Sequence, residues 1–181
     1  ARLAQARAAT PSERATLLDD ARVFLRNAVT LDDDASESHY ALACLLATQR
    51  DTDTALPHAR RAIELEPAFV DAWHLNVLLL SARKDVAGAR SLAAEALTLL
   101  HPQEREELES LAKADLPEAF VRVWARKEAF LKALSTGLAR DPGMDYIGSG
   151  ETPQSPHPDV DIHDLVEGVP AGYRAAIAFN R

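Results

Sequence analysis

The stretch Trp124–Leu138, WARKEAFLKALSTGL, decides how the carboxy-terminal half reads. Phe120, Trp124, Leu131, Leu134 and Leu138 recur at spacings of three, four and seven, the pattern of a helix with one apolar side. Glu128 and Lys132 are four residues apart and are therefore neighbours on that helix. A carboxylate and an ammonium beside a buried aromatic can grip a metal-bound phosphate. They can equally be a surface ion pair worth a few tenths of a kcal/mol, and spacing alone favours that plainer reading.

Around this stretch, charge is distributed unevenly. Residues 121–140 carry Arg122, Arg126, Lys127, Lys132 and Arg140 against Glu128 alone, whereas residues 141–167 hold seven acids and no lysine or arginine. A basic helix followed by an acidic segment suits an anionic cofactor or an acidic partner, although a solvated face and loop would look the same. The chain as a whole, 181 residues with net charge −8, argues against general affinity for nucleic acid. No apolar run approaches membrane-spanning length and no basic-then-apolar leader is present, so the expectation is a cytoplasmic chain that spans no membrane. The single cysteine, Cys44, sits in an apolar segment and cannot build a disulfide or a metal cluster alone. The first residue is Ala1 and the one methionine is Met144, so residues are expected to precede Ala1 or to have been removed.

The first hundred residues follow a different rule. Ser36–Phe69 places Leu42, Ala43, Leu46, Ala55, Ala59, Ala62 and Pro67 in a pattern that the segment from Val70 to about Pro102 repeats. Val77, Leu80, Ala89, Ala93 and Ala96 are the echo, with Trp73 in the second copy, and the period is that of a two-helix repeat. Small alanines let paired helices approach closely while leucines and Trp73 fill the space between them. Asp51-Thr52-Asp53 and Lys84-Asp85 supply turn and cap chemistry. Upstream, Ala21, Leu25, Ala28 and Leu31 continue the pattern from about Ser12, after a short first helix at Ala1–Ala9 that stops at Pro11. The segment 1–100 resembles tetratricopeptide repeats, with Asn76 and Asp33 as departures where leucine and proline are usual. That resemblance implies a concave groove for a peptide or protein. Arg50, Arg60, Arg61, Arg83 and Lys84 are candidate clamps in it. His39, His58 and His74 lie at no metal-binding spacing and read as packing or surface residues.

Beyond Pro102 the helical pattern runs to Leu111, with Glu104, Glu106, Glu107 and Glu109 expected outward. Asp115 or a neighbour should cap the next helix, which Gly137 and the turn Asp141-Pro142-Gly143 should end. Short strands are expected at Asp145–Gly148, Val160–Leu165 and Tyr173–Phe179, the last with Tyr173, Ala175, Ile177 and Phe179 on one face. The fold class is therefore mainly α: helical hairpins over 1–100, then a small α+β segment over 101–181.

Within that segment, Trp124, Lys127, Glu128, Ala129, Lys132 and Ala133, followed by Gly137 and Leu138, resemble the signature of 4′-phosphopantetheinyl transferases of the surfactin-synthetase-activating type. His101-Pro102-Gln103-Glu104 looks like the family's Pro-x-Glu segment, and Gly172–Ala178 is similar to its closing strand. The resemblance implies transfer of 4′-phosphopantetheine from coenzyme A to a serine of an acyl or peptidyl carrier protein, with magnesium on the diphosphate. It implies Glu128 as metal ligand and catalytic group, Lys132 on coenzyme A phosphate, Lys127 as a second cofactor contact and Trp124 as core anchor. Two departures bear on that expectation. The chain contains no Asp-x-Glu, the motif that supplies most of the family's metal site, and Ser135 stands where the family has glycine. Asp159 and Asp161, near His157 and His163, are the other acids that could take a metal. The resemblance thus implies a transferase incomplete as an autonomous catalyst. The alternative is a repeat-based interaction scaffold carrying a non-catalytic remnant.

Overall fold

A computed structural model describes residues 10–136, 140–165, 167 and 174–180. The expected features at Ala1–Ala9, Gly137, Leu138, Gly172 and Tyr173 lie outside those residues. The chain divides into two compact units, Ala1–Ala72 and Trp73–Arg181. The described part is mainly helical with one two-stranded sheet, which is the class expected from the sequence.

In the first unit, α1 (Pro11–Leu31), α2 (Ser36–Thr48) and α3 (Thr52–Leu65) run up to the start of α4 (Val70–Ala82). Pro11 opens α1. Thr10 caps that end, its Oγ1 accepting from Glu13 N at 3.3 Å while the Glu13 carboxylate accepts from Thr10 N at 2.7 Å. The α2–α3 hairpin closes on Leu42, Ala43 and Leu46 from one helix and Ala55, Leu56, Ala59 and Ala62 from the other, all buried. The alanines among them allow the helix axes to come close. Tyr40 and Phe69 add an aromatic contact with ring centroids 4.8 Å apart.

The repeat seen in the sequence reappears in the helix starts. α2 begins at Ser36 and α4 at Val70, while α3 begins at Thr52 and α5 (Val86–Ala96) at Val86, so the two offsets are equal. The turns match as well. Arg50 and Lys84 each take a left-handed backbone, with φ of 61° and 60°. Asp51 and Asp85 follow them as N-caps, accepting from Thr54 N at 3.3 Å and Gly88 N at 2.9 Å.

The second unit continues with α6 (Pro102–Glu109), α7 (Leu116–Ala133), β1 (Val160–Leu165) and β2 (Ala175–Asn180). The strands pair antiparallel from Val160↔Asn180 to Leu165↔Ala175. α7 is the central element and packs on β1, β2, α5 and α6. Phe130, Leu131, Ile147, Val160 and Ile162 form a buried cluster under it, joined by Leu134 and Ala178. On β2, Ile177 and Phe179 do share a face, and it is the solvent side, where Phe179 stacks on His163 at 5.5 Å.

Two local expectations are corrected. Asp145–Gly148 is not a strand, because the N–H of Ile147 goes to the Glu104 carboxylate at 2.7 Å instead of to a ladder. Asp115 does take the N-cap position of α7, as expected, although its side chain makes no cap bond. Glu104 does not face outward but is fully buried, and Glu107 turns to the 146–149 segment, bonding Tyr146 and Ser149. Partial burial pushes the Glu107 carboxyl up. Hydrogen bonds from Ser149, Tyr146 and Gln103 outweigh that and hold it below the ordinary carboxylate range.

Candidate functional site

α7 is buried around most of its circumference. Phe120, Val123, Trp124, Arg126, Lys127, Phe130 and Leu131 are all at 2% exposure or less, so Trp124 anchors the helix as its spacing implies. An open stripe remains, comprising Glu118, Arg122, Glu128, Ala129 and Lys132. The signature's Glu-Lys pair lies on it. The Lys132 ammonium is hydrogen-bonded to the Glu128 carboxylate, with the lysine side chain 70% exposed and the glutamate 36% exposed. The structure thus brings these two residues together where a soluble, multiply charged ligand can reach them.

Lys127 is placed differently. It is 1% exposed, and its Nζ lies 2.8 Å from Glu104 Oε2, 2.8 Å from the carbonyl of Pro142 and 2.5 Å from that of Asp145. Those three contacts match its three donors, leaving none for a cofactor phosphate. Burial pushes the ammonium's pKa down, and Glu104 pulls it back up. Glu104 itself completes a capping box at His101 and accepts from Ile147 N. Arg140 closes the same loop on Asp145 at 2.6 and 2.9 Å. Lys127 therefore ties α6, α7 and the 140–147 loop together.

Arg126, which sequence spacing did not single out, is a second tie. Its guanidinium meets Asp164 at 2.8 Å and reaches the carbonyls of Gly148, Gly150 and Glu151 at 2.7, 2.9 and 3.1 Å. A bidentate partner on β1 and three carbonyls on one loop use its planar fork fully. The signal in the sequence was a basic residue followed by Gly148-Ser149-Gly150, too common to read.

Ser135 ends α7 with φ of 57°, the left-handed turn for which glycine is the usual residue. The substitution noted in the sequence keeps the turn at the cost of mild strain.

His74 on α4 feels the charge of Glu128. Its Nε2 is sealed from solvent with no hydrogen-bond partner. Burial pushes its pKa down to about 4, against an opposing pull from Glu128. Unfolded histidine binds a proton near pH 6.5 and folded His74 does not. Stability conferred by the neutral ring is therefore whole above pH 6.5 and drains away as pH falls toward 4. The loss expected across that window is roughly 3 kcal/mol. Urea melts at pH 7 and pH 4.5 should show it in the wild type and largely lose it in His74→Phe. An equal slope in both proteins would rule this out.

The candidate metal ligands can be judged on the same geometry. Among the described residues no group of three or more His, Cys, Asp or Glu is placed to hold a metal ion. Asp159 lies outside β1 and is exposed, so the acids near His157 and His163 build no site. On the open stripe Glu118 pairs with Arg174 and Glu128 with Lys132, and Glu128 is the candidate carboxylate because it is the signature's acid. That fits magnesium only in its sparest mode, with one protein ligand and the remainder from substrate phosphates and water. Among the described residues, a cleft of about 220 Å³ in this unit is lined by Pro117, Val121 and the Glu118–Arg174 ion pair, and one of about 400 Å³ by residues that include Leu97, Leu108 and Leu116; neither is lined by Glu128 or Lys132. Among the described residues no helix is long and apolar enough to cross a membrane.

No curated protein matches this chain. The profile of the 4′-phosphopantetheinyl transferase superfamily matches residues 83–173, which begins upstream of His101 and takes in α5, α6, α7, the 140–151 loop and β1. With half its length matched and the signature pair held on the one open stripe of the central helix, the chain belongs to the 4′-phosphopantetheinyl transferase superfamily.

Proposed function

We propose that, despite lacking the family's Asp-x-Glu, this chain moves 4′-phosphopantetheine from coenzyme A to a carrier-protein serine, using Glu128 and Lys132 on α7 and relying on substrate phosphates and water for the rest of the magnesium shell. The observation that carries the reading is the accessibility of this charged pair on a helix where Trp124 and Lys127 of the same signature are buried. Glu128 would hold magnesium against the diphosphate, and the metal would supply charge neutralisation there. Lys132 would place a positive charge on the phosphate that becomes part of 3′,5′-ADP. The serine hydroxyl gives up its proton to solvent as its oxygen bonds to the phosphorus that carries the pantetheine, and the bond from that phosphorus to the bridging oxygen breaks, releasing 3′,5′-ADP. Such transfers depend mainly on positioning and charge stabilisation. Lys127 acts as a positioning residue, holding α7 against α6 and the 140–147 loop.

A single protein carboxylate binds magnesium weakly. Coenzyme A affinity should therefore climb steeply with magnesium into the millimolar range. Calorimetric titration of coenzyme A at several magnesium concentrations tests this, with Lys132→Ala expected to weaken binding about tenfold, the scale of one charge-assisted contact. Binding that ignores both magnesium and Lys132 would remove the assignment.

The equal offsets of helix starts, left-handed turns and aspartate caps support reading 1–100 as tetratricopeptide-like hairpins, with the transferase segment at 101–181. On this proposal the hairpins recruit a protein partner and the 101–181 segment performs the transfer. Of the candidate clamp residues, Arg61 is engaged with Asp34 at 3.0 Å and Glu64 at 3.5 Å.

A further inference from the structure

His39 and His58, nineteen residues apart in sequence, meet across the α2–α3 hairpin. Their Nδ1 atoms are 3.0 Å apart, and the ring centroids lie 5.3 Å apart at 37°. His39 is 3% exposed. Its other nitrogen, Nε2, faces two acceptors, the carbonyl of Asp33 at 3.1 Å and Asp33 Oδ1 at 3.3 Å. Nε2 must therefore carry a proton. Proton counting at the other side is then strict. Two nitrogens 3.0 Å apart make a hydrogen bond when one is N–H and the other is bare. The gap holds a single proton, and the pair keeps its contact with at most one positive charge, which Asp33 can balance.

A second proton sets N–H against N–H and positive charge against positive charge. The surrounding charges sharpen that cost. Arg26 from α1 acts on His58 with the same sign, and Arg61 from α3 lies 3.8 Å from Asp33, sharing the carboxylate that opposes the repulsion. We propose that the His39–His58 contact is a proton-sensitive joint, closed at neutral pH and opened by acid, that loosens α2 from α3 at this end of the hairpin. The seam through Leu42, Ala43, Leu46, Ala55 and Ala59 is built of aliphatic side chains that do not titrate, so the opening is local rather than global.

The direction follows from linkage. Burial, then His39, then Arg26 hold the His58 pKa below its ordinary value near 6.5, with Asp33 opposing. Below 6.5 the open hairpin binds more protons than the closed one, so closure is complete above that value and weakens as pH descends through it.

Ring titration by nitrogen-15 and carbon-13 NMR on the full chain tests the proposal. One shared Nδ1 proton is expected at pH 7.5, with His58 protonating below 6.5. Amide exchange protection over residues 36–65, corrected for the intrinsic pH dependence, should fall about tenfold between pH 7.5 and 5.5. His58→Asn keeps a donor and acceptor opposite His39 without a titrating charge and should abolish that fall. Two rings titrating independently near 6.5, or a variant with an undiminished fall in protection, would overturn the joint. If the variant does not fold, the wild-type ring titration decides alone.

Discussion

Glu104→Leu is expected to destabilise the second unit by about 3–5 kcal/mol, the scale for removing one partner of a buried ion pair. The carboxylate is fully buried and serves three groups at once: Lys127 Nζ at 2.8 Å, Ile147 N at 2.7 Å and the backbone N of His101 at 3.2 Å. Its loss strands an ammonium that is 1% exposed and already strained by desolvation. Lys127→Met alone should cost a comparable amount by leaving the carboxylate uncompensated. The double variant Glu104→Leu with Lys127→Met should recover a large part of the loss, because an apolar pair of similar volume removes both desolvation penalties. Denaturant melts of the three variants measure this directly. Additive losses in the double variant would show that the two residues do not act on each other.

Glu128→Gln is expected to behave in the opposite way, leaving stability within about 0.5 kcal/mol of wild type because its side chain is 36% exposed and faces an exposed lysine. Its effect should fall on chemistry. Removing the carboxylate proposed to hold magnesium against the diphosphate should cost on the order of 10²–10³ in rate. On the proposed reading, the contrast between two acids that both face lysines separates a structural pair from a functional one. Glu104–Lys127 is sealed and saturated, whereas Glu128–Lys132 is open to exchange partners.

Much of the fold was legible in the sequence because it is written in short-range periodicity. The apolar spacing around Trp124 marked the central helix. The recurrence of alanines and leucines marked helix starts that the structure places at Ser36, Thr52, Val70 and Val86. Side-chain direction was less legible. Glu104 stands in a run of acids on a short helix, and its inward turn depends on Lys127, a full helix further along the chain, and on a loop amide further still. The same holds for His39 and His58, whose separation in sequence says nothing until two antiparallel helices set them in register. Lys127 and Lys132 show the limit most clearly. Both belong to the same signature on one helix, yet they lie on faces of opposite character, one at 1% exposure and the other on the open stripe. A motif names residue types at positions. The packing around the helix decides which of them reach a ligand.

The most direct measurement is the mass of a purified apo-carrier protein after incubation with this chain, coenzyme A and magnesium. A gain of one phosphopantetheine per carrier is expected, with release of 3′,5′-ADP. That gain should depend on millimolar magnesium and be lost with Glu128→Gln while the variant remains folded. An unmodified carrier at every magnesium concentration, or modification that Glu128→Gln leaves undiminished, would contradict the assignment of this pair to phosphopantetheine transfer.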